Sequence, residues 1–270
     1  MLGGSLALAL GRLTSRPRVT VWARRLEAAE EVRARGVAER ATVDLEEAVR
    51  GAGEVIFCTP MGAMPGLARA VVPFLEAGAF VTDIASVKGP VDAALGPILS
   101  GRARWIGSHP MAGGERAGLE AARADLFEGA RVILTPTSLT PRDTLEWAEG
   151  FWGELGCRCM TADPVAHDRA VAQISHLPHL LAALLVNAVE PGALGFHGPG
   201  FRDTTRVAAG PAAMWAEILL ENRGAVLAAL SRFEVGAARA RAALEAGDEK
   251  ELHGLLAAAN DVRRSSVDPV

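Results

Sequence analysis

The sequence predicts an α/β protein in two parts, a doubly wound parallel-sheet domain over residues 1–138 and an all-helical domain over residues 139–270. Two observations carry this. From residue 17 to about 136, short β-branched apolar runs alternate with amphipathic stretches of helical period. After Pro136 the strand signal stops, and residues 141–260 are dominated by Ala, Leu, Glu and Arg, the good helix formers. Between the two regimes, Pro136-Thr137-Ser138-Leu139-Thr140-Pro141 has the composition of a linking turn.

The expected strands are Arg18–Trp22, Glu54–Thr59, Phe80–Ile84, Trp105-Ile106 and Arg131–Leu134, each short and rich in Val, Ile or aromatic residues. Asp44–Val49 reads as a helix with Asp44 as its N-cap, an acidic first turn, and Gly51 and Gly53 closing it. In the second half Pro178, Pro191, Gly192 and the Gly/Pro cluster at 195–200 divide the helical stretch. The tail from Arg263 to Val270 is polar and expected to be loose.

Half of the 270 residues are hydrophobic, but Arg, Glu, Gly or Pro breaks the apolar stretches every few positions, so no run is expected to reach membrane-spanning length. Met1 to Leu13 lacks the basic lead and cleavage site of a signal and reads as structure. The formal charge of -4, with no basic block, argues against nucleic acid or an anionic membrane as partner and for small-molecule chemistry. Cys58, Cys157 and Cys159 are too few and too poorly spaced for a disulfide framework or a zinc site, which implies a cytoplasmic protein with no metal.

A dinucleotide-binding domain opens strand, G-x-G-x-x-G, helix, its glycines admitting the pyrophosphate to the helix N-terminus. Gly3-Gly4-Ser5 before Leu6–Leu10 fits the end of that run, with Gly3 as the third glycine; the first strand and the first two glycines are absent from the sequence. This makes the first domain Rossmann-type. After the second strand of such a domain an acid normally receives the ribose hydroxyls, but here stand Arg24 and Arg25, which suit a 2′-phosphate. NADP is therefore the expected cofactor, with NAD possible. Thr59 and Pro60, ending the Glu54 run, complete the cofactor set.

Polar residues cluster where two successive strands end: Asp83 to Gly89, with Ser86, and Gly107 to Glu115, with His109. A second set lies in the helical half, Ser175-His176-Leu177-Pro178-His179 and Gly200-Phe201-Arg202-Asp203-Thr204-Thr205-Arg206. With Gly107-Ser108-His109-Pro110-Met111-Ala112-Gly113, Leu126-Phe127, Ile133-Leu134-Thr135-Pro136, Met214-Trp215 and Glu221-Asn222, these motifs resemble, in order and over nearly the whole chain, those of prephenate/arogenate dehydrogenases.

The resemblance implies NAD(P)-dependent oxidative decarboxylation of prephenate or arogenate in tyrosine biosynthesis. It implies that His109 hydrogen-bonds the ring hydroxyl as its proton leaves, that Ser86 steadies the hydroxyl and His109, and that Arg206 clamps a carboxylate. His179 would line the pocket, with Arg202 and Glu115 near its entrance. It also implies a homodimer through the helical domain. His167 and Asp168 receive no chemical role, His176 is as consistent with a structural as with a site histidine, and Trp215 reads as core. A β-hydroxyacid dehydrogenase or a pyrroline carboxylate reductase would share the fold but not the His-Pro-Met-Ala-Gly and Ser-His-Leu-Pro-His motifs. The alternative from another class is a non-catalytic binding protein without a complete phosphate loop.

Overall fold

The computed structural model describes residues 1–114, 116 and 118–266, in two compact units, Met1–Asn222 and Arg223–Val270. The first unit runs α1 (Leu2–Leu10), β1 (Thr20–Trp22), α2 (Leu26–Ala34), β2 (Arg40–Thr42), α3 (Leu45–Val49), β3 (Glu54–Phe57), α4 (Met64–Val71), β4 (Phe80–Asp83), α5 (Gly89–Leu99), β5 (Arg104–Trp105), β6 (Gly107–Pro110), β7 (Arg131–Thr135), α6 (Arg142–Glu154) and β8 (Arg158–Thr161). Four helices follow, α7 (Pro164–Val171), α8 (Leu177–Asn187), α9 (Pro199–Thr205) and α10 (Ala212–Glu221). The second unit is a helical pair, α11 (Arg223–Ala246) and α12 (Glu249–Ser266), turned at Gly247 with φ +64° and tied by Arg239–Glu251 at 2.6 Å.

Strands pair as β1-β2, β3-β4-β5 and β6-β7-β8, all parallel except β6 with β7. The sheet architecture therefore extends beyond the boundary expected at 138/139: α6 and β8 follow it, and β8 pairs with β7 from Arg131↔Arg158 to Leu134↔Thr161. The strands do not stop where the strand signal does, at Pro136. Arg158-Cys159-Met160-Thr161 has neither a β-branched run nor a buried residue, the mark of an edge strand with little apolar surface to advertise it. β2 and β6 escape the pattern for related reasons: Arg40-Ala41-Thr42 buries one small residue, and Gly107-Ser108-His109-Pro110 is buried but carries no aliphatic side chain.

Helices cover both faces of the strands. On one side Met64, Ala68 and Val71 of α4 and Val91, Leu95 and Leu99 of α5 pack on Phe57 and Val81. On the other, Leu6, Ala9 and Leu10 of α1 and Ala148, Phe151 and Trp152 of α6 pack on Ile84, Ile106, Val132 and Leu134. α3 starts as expected, Asp44 Oδ1 accepting the N–H groups of Glu46 (2.8 Å) and Glu47 (3.2 Å).

Between α7 and α8 the chain does not break at Pro178. A single π-helical turn, Ala172–His176, joins them into one helix, Pro164–Asn187. A proline in a helix lacks the N–H for the carbonyl four residues back and its ring presses on that carbonyl; a widened turn just before it relieves both. This helix is long and apolar enough, by length and composition, to cross a membrane, with a mean hydropathy of 1.3 in its most apolar window. The expectation that no run reaches that length thus fails here, because Gln173, Ser175, His176 and His179 interrupt it instead of charges. His167, His176 and His179 are buried within the first unit.

Candidate active site

The end of β4 and the start of α5 are tied to β6 by a buried ion pair. Lys88, 1 % exposed, directs Nζ to the Asp83 carboxylate and to the main-chain oxygen of Ser108 at 2.6 Å. Asp83 also accepts the N–H groups of Ala85 (2.8 Å) and Ser108 (3.2 Å). Ser108 Oγ lies 2.6 Å from Thr82 Oγ1 and accepts Trp152 Nε1–H at 3.1 Å. These bonds hold β6 beside β4 although β6 takes its ladder from β7, and so fix the backbone of His109.

His109 is 8 % exposed and its Nδ1 is 2.9 Å from His167 Nε2. His167 Nδ1 is 2.8 Å from Asp168 Oδ1. The Asp168 carboxylate accepts the N–H groups of Lys88 and Gly89, both at 2.8 Å, at the N-terminus of α5, where unpaired donors and the helix dipole favour a negative charge. Asn222 Nδ2 donates to the Asp168 main-chain oxygen (2.8 Å) and to His176 Nδ1 (3.1 Å). Burial, then the Lys88 ammonium and the His167 and His176 rings, hold His109 well below the ordinary histidine value of 6.5. Burial likewise lowers His176 to about 4 and lowers His179. A buried imidazole that stays neutral has the protonation state of a base.

His179 stacks on Trp215 with ring centroids 3.5 Å apart and 14° between planes, and its buried Nδ1 has no partner among the described residues. Trp215 is therefore a wall of the histidine cluster as well as core. Gly210 lies against this pair; a Cβ there would come 2.7 Å from Trp215 Nε1. Arg206 begins the turn that ends at Gly210 and packs against α8; it and Arg202 on α9 are exposed. The Arg202 guanidinium makes no hydrogen bond or ion pair among the described residues. Ser86 is half-buried and no hydrogen bond joins it to His109, whose ring partner is His167. Glu115 lies outside the described residues.

At the cofactor end, Gly3 and Gly4 sit in the first turn of α1. A Cβ on Gly3 would lie 2.9 Å from Cys58 Cβ and one on Gly4 2.5 Å from Leu119 Cδ1, so both are glycine because neighbours press on the helix start. Close helix–strand packing is the requirement on a third phosphate-loop glycine. Ser5 is fully buried and its hydroxyl accepts Arg123 N–H at 3.0 Å. Thr59 Oγ1 is buried and partnerless among the described residues, at the carboxyl end of β3, beside the exposed Pro60. Arg24 and Arg25 are exposed at the end of β1 and form no ion pair among the described residues. An orphaned hydroxyl and two unpaired guanidinium groups fit a phosphorylated dinucleotide.

Sequence reasoning singled out His109, Thr59 and the two arginines but gave no chemical role to His167, Asp168, Lys88 or Asn222. Nothing in local spacing signals these four; only the fold brings them together.

The chain matches the family model described as prephenate dehydrogenase, nucleotide-binding domain, over residues 6–161, and that described as prephenate dehydrogenase, dimerization domain, over 163–258. It is 34% identical over 226 residues to the cyclohexadienyl dehydrogenase of Zymomonas mobilis, covering 81% of this chain and 77% of that one. Its structure is similar to prephenate dehydrogenase from A. aeolicus, solved with hydroxyphenyl propionate and NAD+, with TM-score 0.89, 30% identity, and 99% and 95% of the two chains covered. Synechocystis arogenate dehydrogenase gives TM-score 0.83 at 30% identity over 98% and 96%. Both domains, in order and over almost the whole length, place this chain in the prephenate dehydrogenase family of nicotinamide-dependent oxidoreductases, whose reaction is the oxidative decarboxylation of a cyclohexadienol in tyrosine biosynthesis.

Proposed function

We propose that this protein is a cytoplasmic enzyme that oxidises prephenate or arogenate with NADP in preference to NAD, with His109 as the base that receives the proton of the ring hydroxyl. The observation that carries this is His109 itself: buried, kept neutral, and with Nδ1 engaged by His167, so that Nε2 is the nitrogen left for substrate. The nicotinamide supplies the hydride acceptor. As the hydroxyl proton moves to His109, the oxygen electrons strengthen a C–O bond, the ring hydride departs, and loss of the ring carboxylate as carbon dioxide leaves an aromatic ring. Arg206 pairs with a substrate carboxylate as a planar fork, His179 and Trp215 flank the ring, and Ser86 bonds the hydroxyl. Arg202 stands at the entrance. Thr59, Pro60 and the start of α1 hold the dinucleotide, with Arg24 and Arg25 on its 2′-phosphate.

The test is steady-state kinetics with both substrates and both cofactors. A charge-assisted hydrogen bond is worth about 1.5–3 kcal/mol, so kcat/KM is expected to favour NADP by roughly 10- to 150-fold. The double substitution Arg24→Ala with Arg25→Ala should bring the ratio near unity while leaving NAD kinetics in place. Equal use of NAD and NADP by the unaltered protein would refute the assignment of these arginines.

The helical half also forms a homodimer in this reading. Support comes from the dimerization-domain match and from large apolar side chains left exposed on this chain: Leu220 at 68 %, Val235 at 64 %, Leu244 at 68 % and Leu256 at 72 %. Light scattering at micromolar concentration should give the mass of two chains, and the mass of one would count against it.

A further inference from the structure

The protons along His109, His167 and Asp168 are set by groups outside the row. Asp168 accepts two main-chain N–H groups at the N-terminus of α5, one on each carboxylate oxygen. An ionised carboxylate can only accept, so His167 Nδ1, 2.8 Å away, carries a hydrogen. Neutral His167 then presents a lone pair at Nε2, and His109 Nδ1, 2.9 Å distant, donates to it. His109 Nε2 is left with its lone pair free, the tautomer that takes a proton from substrate.

Resting on the reading of His109 as base, we propose that His167 and Asp168 form a proton-accepting relay behind it. As the substrate hydroxyl gives its proton to His109 Nε2, the proton on His109 Nδ1 passes to His167 Nε2. One O–H bond and one N–H bond break and two N–H bonds form; the substrate oxygen keeps its electron pair, and the positive charge comes to rest on His167 against the Asp168 carboxylate.

The surroundings favour that resting place. His109 faces the Lys88 ammonium and the His167 and His176 rings, and the nearby Asp83 carboxylate is already paired with Lys88. An imidazolium at His109 would sit among positive or neutral groups in a buried site. His167 is the ring in hydrogen-bond contact with a carboxylate. His176 is held apart, because Asn222 occupies its Nδ1, and His179 stacks on Trp215. His167 thus acts through His109, as a positioning residue that also stores the proton.

Two variants separate the relay from mere support. In His167→Gln the amide oxygen can still accept His109 Nδ1–H but cannot bind a proton; Asp168→Asn keeps the size and removes the charge. For His167→Gln the expected result is a roughly 10- to 100-fold loss of kcat with substrate KM within about threefold. In both variants the acid limb of kcat/KM should move to lower pH by about one unit, because the base has lost the group that stabilised its proton. A purely structural role lowers the rate without moving that limb. The relay is overturned if the limb stays in place or if His167→Gln keeps kcat within about twofold. Should His167→Gln not fold, the limb in Asp168→Asn decides alone. His109→Ala is assayed beside them: full activity there sinks the reading of His109 as base, whereas an inactive His109→Ala with an unchanged His167→Gln profile sinks only the relay.

Discussion

His109→Ala is expected to lower kcat by about 10²–10⁴-fold, the range for removal of a positioned general base, which corresponds to roughly 2.7–5.5 kcal/mol of transition-state stabilisation. The loss should fall on kcat and kcat/KM together, with cofactor affinity nearly unchanged, because the proton is shared with His109 in the transition state and hardly in the ground state. The pH dependence has a determined sign. His109 is held well below 6.5, chiefly by burial and next by Lys88, so its neutral, reactive form persists to more acid pH than a free histidine would allow. The acid limb of wild-type kcat/KM should therefore lie below the ordinary histidine range, and that histidine limb should vanish from the residual activity of His109→Ala. Folding carries the same sign: protonation of a group with a depressed folded value opposes the native state, so this contribution to stability is present above the unfolded value near 6.5 and is lost as pH falls. A variant that keeps kcat within about threefold, with near-native circular dichroism, would remove His109 from the chemistry.

The sheet core was legible because helices cover its strands on both faces and the strands read as apolar runs: β3 and β4 fall inside the segments expected from sequence, and β7 passes its own by one residue, Thr135. The strands that periodicity missed are those whose stability lies elsewhere. β6 is all buried, but its Ser108 spends its polar groups on Lys88, Asp83, Thr82 and Trp152, and no hydropathy pattern records such a network. β8, past the boundary expected at 138/139, escaped for the same reason, since it is an edge strand without an apolar signature.

The site shows the same division. His109 and the arginines after β1 were singled out because each sits in a local motif near a strand end. His167 and Asp168 are 58 and 80 residues from the groups they bond, His109 and Lys88, and appear in sequence as an ordinary helix start. Their partners are main-chain N–H groups and a ring nitrogen, neither of which leaves a residue-type signal. Ser5 is the converse case: its place in the Gly-Gly-Ser run suggests a phosphate contact, yet in the fold its hydroxyl serves the segment at Arg123.

Lys88→Met should be the most destabilising single substitution in this network. Both side chains of the Lys88–Asp83 pair are fully buried, and burial lowers the Lys88 pKa from 10.5 despite the neighbouring carboxylates of Asp83, Asp168 and Asp92, so the ammonium is held at a cost in desolvation. Methionine matches the stem of lysine but leaves Asp83 ionised, buried and reliant on two main-chain N–H groups, and it leaves the Ser108 carbonyl without its donor. Removing one partner of a buried pair costs about 3–5 kcal/mol, or roughly 6–20 °C in Tm for a unit of this size. The main-chain N–H of Lys88, which Asp168 accepts, survives the substitution, so the measurement isolates the side-chain pair. Adding Asp83→Asn to Lys88→Met removes the uncompensated charge, though its single amide oxygen keeps an acceptor for only one of the Ala85 and Ser108 N–H groups, and should recover part of the lost stability. Thermal melts of the two single variants and the double variant close the cycle. If Lys88→Met melts within about 2 °C of the unaltered protein, or if the double variant is less stable than the single by the full cost of Asp83→Asn alone, the pair does not hold β6 in place, and the positioning of His109 must come from the β7 ladder instead.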